Sequence, residues 1–172
     1  MNIEFLQTTD ITLCGTEAIV NPANEDLWIS SNTGQILLLK CGDVIELEAM
    51  AQKPVVLGEA IISSPGQWQD IKLIIHAIVY GGDLWFPSIA VIDQGVYNSL
   101  LIAHDYQIQS ISMPVLGEVC RRASMENIAQ AMLKGIGRFL KHYPQNSIET
   151  LKIIIPDEAT LNTFYKLFST YA

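Results

Sequence analysis

Short runs rich in Ile and Val recur along this chain, at Ile3 to Leu6, Glu17 to Val20, Ala60 to Ile62, Leu73 to Val79, Ile108 to Val115 and Leu151 to Ile155, each bounded by turn residues. Apolar runs of strand length suit strands that are covered on both faces. Between several of them lie segments with helical spacing, Gln35 to Ala51, Ile89 to Asp105, Ser124 to His142 and Asp157 to Ser169. Alternation of these two kinds of element predicts a layered α/β domain. Helix punctuation agrees. Ser124 caps the helix that begins Met125-Glu126-Asn127, and Tyr143-Pro144-Gln145-Asn146 stops it. Pro156-Asp157-Glu158 opens the last helix, with acidic residues that complement its dipole. No repeat, low-complexity tract or linker interrupts the pattern, so a single domain over residues 1–172 is expected.

A chain of this length buries roughly 70% of its unfolded surface and needs no covalent staple. The three Cys, Cys14, Cys41 and Cys120, show no CxxC or Cys/His spacing, which argues against a zinc site and a disulfide framework. No metal and no cofactor is expected. The start, Met1-Asn2-Ile3-Glu4-Phe5, lacks a basic region ahead of an apolar stretch, and the apolar runs are too short to cross a bilayer. These features point to a soluble protein of the reducing cytoplasm with no membrane partner. The formal net charge of -8 repels phosphate backbones, so nucleic acid is an unfavourable partner unless Arg121 and Arg122 form a local patch with nearby lysines.

Within that frame, Glu17-Ala18-Ile19-Val20-Asn21-Pro22-Ala23-Asn24 reads as a strand that delivers two Asn and a Pro into a turn ahead of a long helix. In an α/β protein this is where a ligand binds. Asn also shapes turns on its own account, by bonding its backbone two residues on. Thr9-Asp10-Ile11-Thr12 lies just upstream, and the order Asp-Ile-Thr, then Ala-Ile-Val-Asn-x-Ala-Asn, resembles the opening of a macro domain, of the ADP-ribose-binding, Appr-1''-p-processing family. The resemblance continues in order through Gly58-Glu59-Ala60-Ile61-Ile62, Leu73-Ile74-Ile75-His76-Ala77-Ile78, Tyr97-Asn98-Ser99-Leu100 and Ser110-Ile111-Ser112-Met113-Pro114. It implies a three-layer α/β/α fold with a mixed sheet of about six strands.

The resemblance also nominates a site. Asp10 accepts a hydrogen bond from an adenine amino group with the Ile11 amide beside it, the alternative being an Asp that caps a turn. Asn21 and Asn24 line the cleft. The family's first Gly run is replaced here by Ile29-Ser30-Ser31-Asn32-Thr33-Gly34, so Ser31, Asn32, Thr33 and Gly34 form a loop with less conformational freedom and more side-chain bulk. The second phosphate loop falls on Leu116 to Arg122, where Gly117 survives, Glu118 sets a carboxylate near a diphosphate, and Val119, Cys120 and Arg121 complete the lining. Arg121 and Arg122 either bind phosphate oxygens or form a solvated pair. Pro156 stands where the family carries an aromatic, offering contact area without a π-face.

Hydrolytic macro domains resemble one another in the second Asn of the motif and an Asp in the Gly-rich segment. Asn24 fits the first and would be the catalytic residue of an enzyme, but Gly34 falls where the Asp is expected. No group is then left to activate water, unless Glu25 or Asp26 substitutes. His76 in an apolar strand reads as a core residue, Cys120 has no His close in sequence, and His104 and His142 answer helix dipoles. Trp28, Trp68, Trp85 and Phe86 fall in loops, where they cover a core, cover a ligand or mark a partner surface. The reading is a binder of ADP-ribose or a related nucleotide, free or on an ADP-ribosylated protein, with little or no catalysis. The alternatives are a hydrolase of ADP-ribosyl esters or O-acetyl-ADP-ribose, and a degenerate domain kept for protein interaction.

Overall fold

Strands form where the apolar runs lie. The computed structural model describes residues 1–81, 88–118 and 123–171. Its strands are β1 (Asn2–Gln7), β2 (Ala18–Asn24), β3 (Ala60–Ser63), β4 (Leu73–Tyr80), β5 (Ser110–Pro114) and β6 (Thr150–Ile155). The helices are α1 (Asn32–Cys41), α2 (Val44–Met50), α3 (Ile89–Asp105), α4 (Met125–His142) and α5 (Glu158–Tyr171), with one 3-10 turn at Ile11–Leu13. One sheet of order β1-β6-β5-β2-β4-β3 holds all of these strands, and only the edge pair β3–β4 is antiparallel. This is the mixed six-stranded sheet the resemblance implies.

Successive strand residues face opposite sides of a sheet, and the core divides accordingly. Ile75, Ala77 and Val79 of β4 pack with Val96 and Leu100 of α3, Met132 of α4 and Phe164 of α5. Ile19 and Ile74 pack on the other side with Leu37 and Cys41 of α1 and Ile45 of α2, and Ala23 and Ile78 join Ala49 there. Helices thus cover both faces, which explains the unbroken apolar runs.

Three local expectations change. The single helix over Gln35 to Ala51 is two helices, because Gly42 takes a left-handed φ of 84° and its N–H bonds Leu38 O at 2.9 Å, a C-terminal stop that glycine alone adopts cheaply. Asn21, Pro22 and Asn24 do not lie in a turn. β2 runs through Asn24, and all three are buried in register with β4, Asn21 opposite His76. Ser31 to Gly34 is likewise no free loop: Ser31 caps α1 and the other three form its first turn. Trp68 is buried in the core beneath α1 and α2, whereas Trp28 is 46% exposed. Trp85 and Phe86 lie outside the described residues.

Candidate functional site

Because β1, β6, β5, β2 and β4 run parallel, their carboxyl ends share one edge of the sheet, the usual ligand position in such folds. A recess of about 70 Å³ opens there. Thr8 and Thr9 after β1, Pro114 at the end of β5, Ile154 and Pro156 from β6, Ile11, Asn32, Thr33 and Glu118 line it. A nucleotide-sized ligand needs roughly 300 Å³ or more, so the recess alone is far smaller than such a molecule.

Asp10 introduces the turn that carries Ile11. Its Oδ1 accepts from the Thr12 N–H at 2.9 Å and from Thr12 Oγ1 at 2.6 Å, so the turn-capping role exists. Its other carboxylate oxygen has no hydrogen bond to a described residue.

At the mouth of α1, Ser31 Oγ accepts from the Gly34 N–H at 2.9 Å. The first-turn amides of Asn32 and Thr33 have no carbonyl of their own helix to reach, and this end of the helix carries partial positive charge. Behind that turn, a β-carbon on Gly34 would meet Ile29 Cγ2 at 2.8 Å and both Asn21 Oδ1 and Ser31 Oγ at 3.0 Å. The residue expected to be an Asp in a hydrolase is therefore a glycine at which any side chain would require its neighbours to shift.

The segment that replaces the Gly run is fixed by side chains. Asn24 Nδ2 donates to Trp28 O at 2.8 Å and to Ser30 Oγ at 3.0 Å. Glu46 Oε2 accepts from the Ile29 N–H at 2.5 Å, and Gln35 Nε2 donates to Ile29 O at 3.0 Å. Asn24 Oδ1 is buried without a hydrogen-bond partner among the described residues. Asn21 also faces inward: its Oδ1 accepts from Ser31 Oγ at 3.0 Å and its Nδ2 lies 3.2 Å from His76 Nδ1. Burial pushes His76 down to about 4, against the opposing effect of Glu48, so the ring is neutral at neutral pH.

Across the recess, Gly117 takes a left-handed φ of 90°, which favours glycine at the turn leading to Glu118. The Glu118 residue is exposed as a whole, yet partial desolvation of its carboxyl and then the negative Asp157 raise its pKa. Asp157 is held low, first by the Thr160 N–H and then by the Thr160 hydroxyl at the start of α5. Of the residues expected to line the cleft, the structure brings Ile11, Asn32, Thr33, Glu118 and Pro156 onto one recess, whereas Asp10, Asn21, Asn24, Ser31, Gly34 and Gly117 do not line it, and of these Asn21, Asn24, Gly34 and Gly117 are buried. Val119, Cys120 and Arg121 lie outside the described residues, as does Arg122. Cys14 and Cys41 are buried, and desolvation raises both thiols, Cys41 to about 11. Among the described residues no group of three or more His, Cys, Asp or Glu gathers to hold a metal, and no helix is long and apolar enough to cross a membrane.

The model of the macro domain matches residues 20–132, more than half of the chain. The chain belongs to the macro domain family. It is similar to a protein of Thermotoga maritima, 30% identical over 168 residues that cover 93% of this chain and 27% of that protein, so it spans only about a quarter of that relative. Among solved structures, the macro domain of ganglioside induced differentiation associated protein 2 superposes with a TM-score of 0.84 at 20% identity, covering 98% of this chain and 83% of that one. The Trypanosoma brucei macrodomain in complex with ADP-ribose superposes with a TM-score of 0.82 at 15% identity, covering 96% and 68%. At such identities the likeness of the structures speaks for the fold.

Reading the macro domain from sequence did not nominate Thr8, Thr9, Pro114 and Ile154 in the lining or the clamps Glu46 and Gln35. Thr8 and Ile154 had a usable signal, since each lies at the carboxyl end of an expected strand. Glu46 had none, because its bond to Ile29 spans the break between α1 and α2.

Proposed function

We propose that this macro domain binds ADP-ribose or a related nucleotide derivative at the carboxyl edge of its sheet, with little or no catalysis. The observation that carries this reading is the convergence of Ile11, Asn32, Thr33, Glu118 and Pro156, contributed by distant parts of the chain, on one recess beside Asp10. The solved T. brucei macrodomain holds ADP-ribose, which supports that ligand class for a relative of the same fold. In this reading the base sits at the mouth of the recess, the unengaged Asp10 oxygen beside it accepts from the exocyclic amine, and Pro156 gives contact area. Phosphate oxygens take the free amides at the α1 N-terminus, a favourable anion position. The ligand is free ADP-ribose or ADP-ribose attached to a protein.

The glycine at position 34 supports binding over turnover, since it supplies no carboxylate to orient water and its neighbours crowd a β-carbon there. One observation favours the hydrolase as a second reading: Asn24 Oδ1 is buried without a partner among the described residues. The test is amide chemical-shift mapping with ADP-ribose, alongside incubation with O-acetyl-ADP-ribose. Shifts at Ile11, Asn32 and Thr33 with no product support binding, product that vanishes in Asn24→Ala moves the account to hydrolysis, and no shifts reject both.

A further inference from the structure

A buried line of polar groups crosses the sheet beneath the α1 end of the site. Ser31 Oγ, having accepted the Gly34 N–H at 2.9 Å, spends its own hydrogen on Asn21 Oδ1 at 3.0 Å. That fixes the Asn21 amide with its Nδ2 toward His76 Nδ1 at 3.2 Å. A donor facing Nδ1 requires this nitrogen to accept, so the neutral ring carries its hydrogen on Nε2 and donates it to Ser63 Oγ at 2.8 Å. Every link runs in one direction, from Gly34 to Ser63, and bonds arranged in this way polarise one another in a low-dielectric interior. Asn21, His76 and Ser63 are 2%, 2% and 4% exposed, so water does not compete for the two links among them, while the Ser31 links are part-buried.

The two ends lie in different places. Ser63 closes β3, the edge strand, whereas Ser31 caps the helix whose first residues, Asn32 and Thr33, line the recess. We infer that Ser63 and His76 are positioning residues: through Asn21 and Ser31 they set the placement of the first turn of α1, and hence its amides, although neither lines the recess. The effect on affinity rests on the ligand reading above, while the effect on the helix turn does not.

The experiment compares Ser63→Ala with Ser64→Ala, since the exposed Ser64 bonds only Glu48 among the described residues, and with Ser63→Thr, which restores the hydroxyl. The Gly34 amide resonance and the imidazole nitrogens of His76 are recorded without ligand, and ADP-ribose affinity is then measured by calorimetry. The wild-type ring is expected to show the Nε2–H form. Ser63→Ala is expected to shift the Gly34 amide and the His76 nitrogens and to weaken binding about threefold to tenfold, with Ser64→Ala silent and Ser63→Thr returning toward wild type. A Gly34 resonance that stays put in Ser63→Ala, or one that moves with affinity unchanged, overturns the inference. If Ser63→Ala does not fold, Ser31→Ala tests the line from its other end, since loss of the cap must then move the His76 nitrogens, and their constancy is the contrary result. A wild-type protein that ignores ADP-ribose defeats the ligand reading, and the Gly34 and His76 resonances then decide the positioning of α1 alone.

Discussion

Gly34 of α1 packs against Asn21 of β2 so closely that a β-carbon on the glycine would lie 3.0 Å from Asn21 Oδ1. The backbone of Gly34 is ordinary helix, so the requirement is one of space. Gly34→Ala is expected to destabilise the protein by about 1–3 kcal/mol, as overpacking of a close contact does. Urea unfolding measures it. Gly34→Asp is expected to cost at least as much and to yield no hydrolysis of O-acetyl-ADP-ribose, because the helix must move away before a carboxylate fits.

Asp10 performs a structural task with one oxygen, and the other has no hydrogen bond to a described residue. Asp10→Asn keeps an oxygen for the Thr12 cap and turns a donor toward the ligand's amine. Affinity for ADP-ribose is expected to fall about tenfold or more, a loss of roughly 1.4 kcal/mol, with the thermal midpoint nearly unchanged. A midpoint that falls while affinity holds would assign Asp10 to the turn alone.

Glu118 stands at the recess with its pKa raised, by desolvation first and Asp157 second. Its negative charge opposes a diphosphate, so Glu118→Gln is expected to tighten ADP-ribose binding about fivefold, equivalent to about 1 kcal/mol. Wild-type binding should strengthen as pH falls toward the raised pKa and the carboxyl neutralises, and Glu118→Gln should flatten that dependence. Calorimetry at stepped pH reads both.

His76 is neutral in the fold, its pKa pushed from 6.5 to about 4 by burial. Between those values the unfolded chain binds a proton that the folded chain refuses, so this group's contribution falls as pH drops and is lost by pH 4. The window corresponds to roughly 3 kcal/mol. Urea unfolding at pH 7, 5.5 and 4 should show a steeper loss in wild type than in His76→Gln, which takes no proton. Glu48 on α2 opposes the shift, so Glu48→Gln should steepen it.

The sheet and its helices were legible because burial on both faces leaves unbroken Ile and Val runs, and because Ser124 and Pro156 mark helix boundaries that the structure keeps. Gly42 was misread inside a helical pattern, since apolar spacing continues on both sides of it and only its left-handed φ shows the stop. The place of Ile11 and Pro156 at the recess was legible from the resemblance, whereas Asp10 precedes Ile11 in sequence without lining the recess. The roles of Asn21 and Asn24 were not, because the same residue types serve a turn, a ligand or a buried network, and the partners that decide, His76, Ser31, Trp28 and Ser30, come from loops and a neighbouring strand. The clamp on Ile29 from Glu46 leaves no trace at the level of motifs.

The central claim is that this macro domain binds ADP-ribose at the Asp10 edge of its sheet. Calorimetric titration of ADP-ribose into the wild-type protein and into Asp10→Ala tests it most directly. Saturable binding is expected in the wild type, with its loss in the variant. A flat trace for the wild type at millimolar ligand would contradict it.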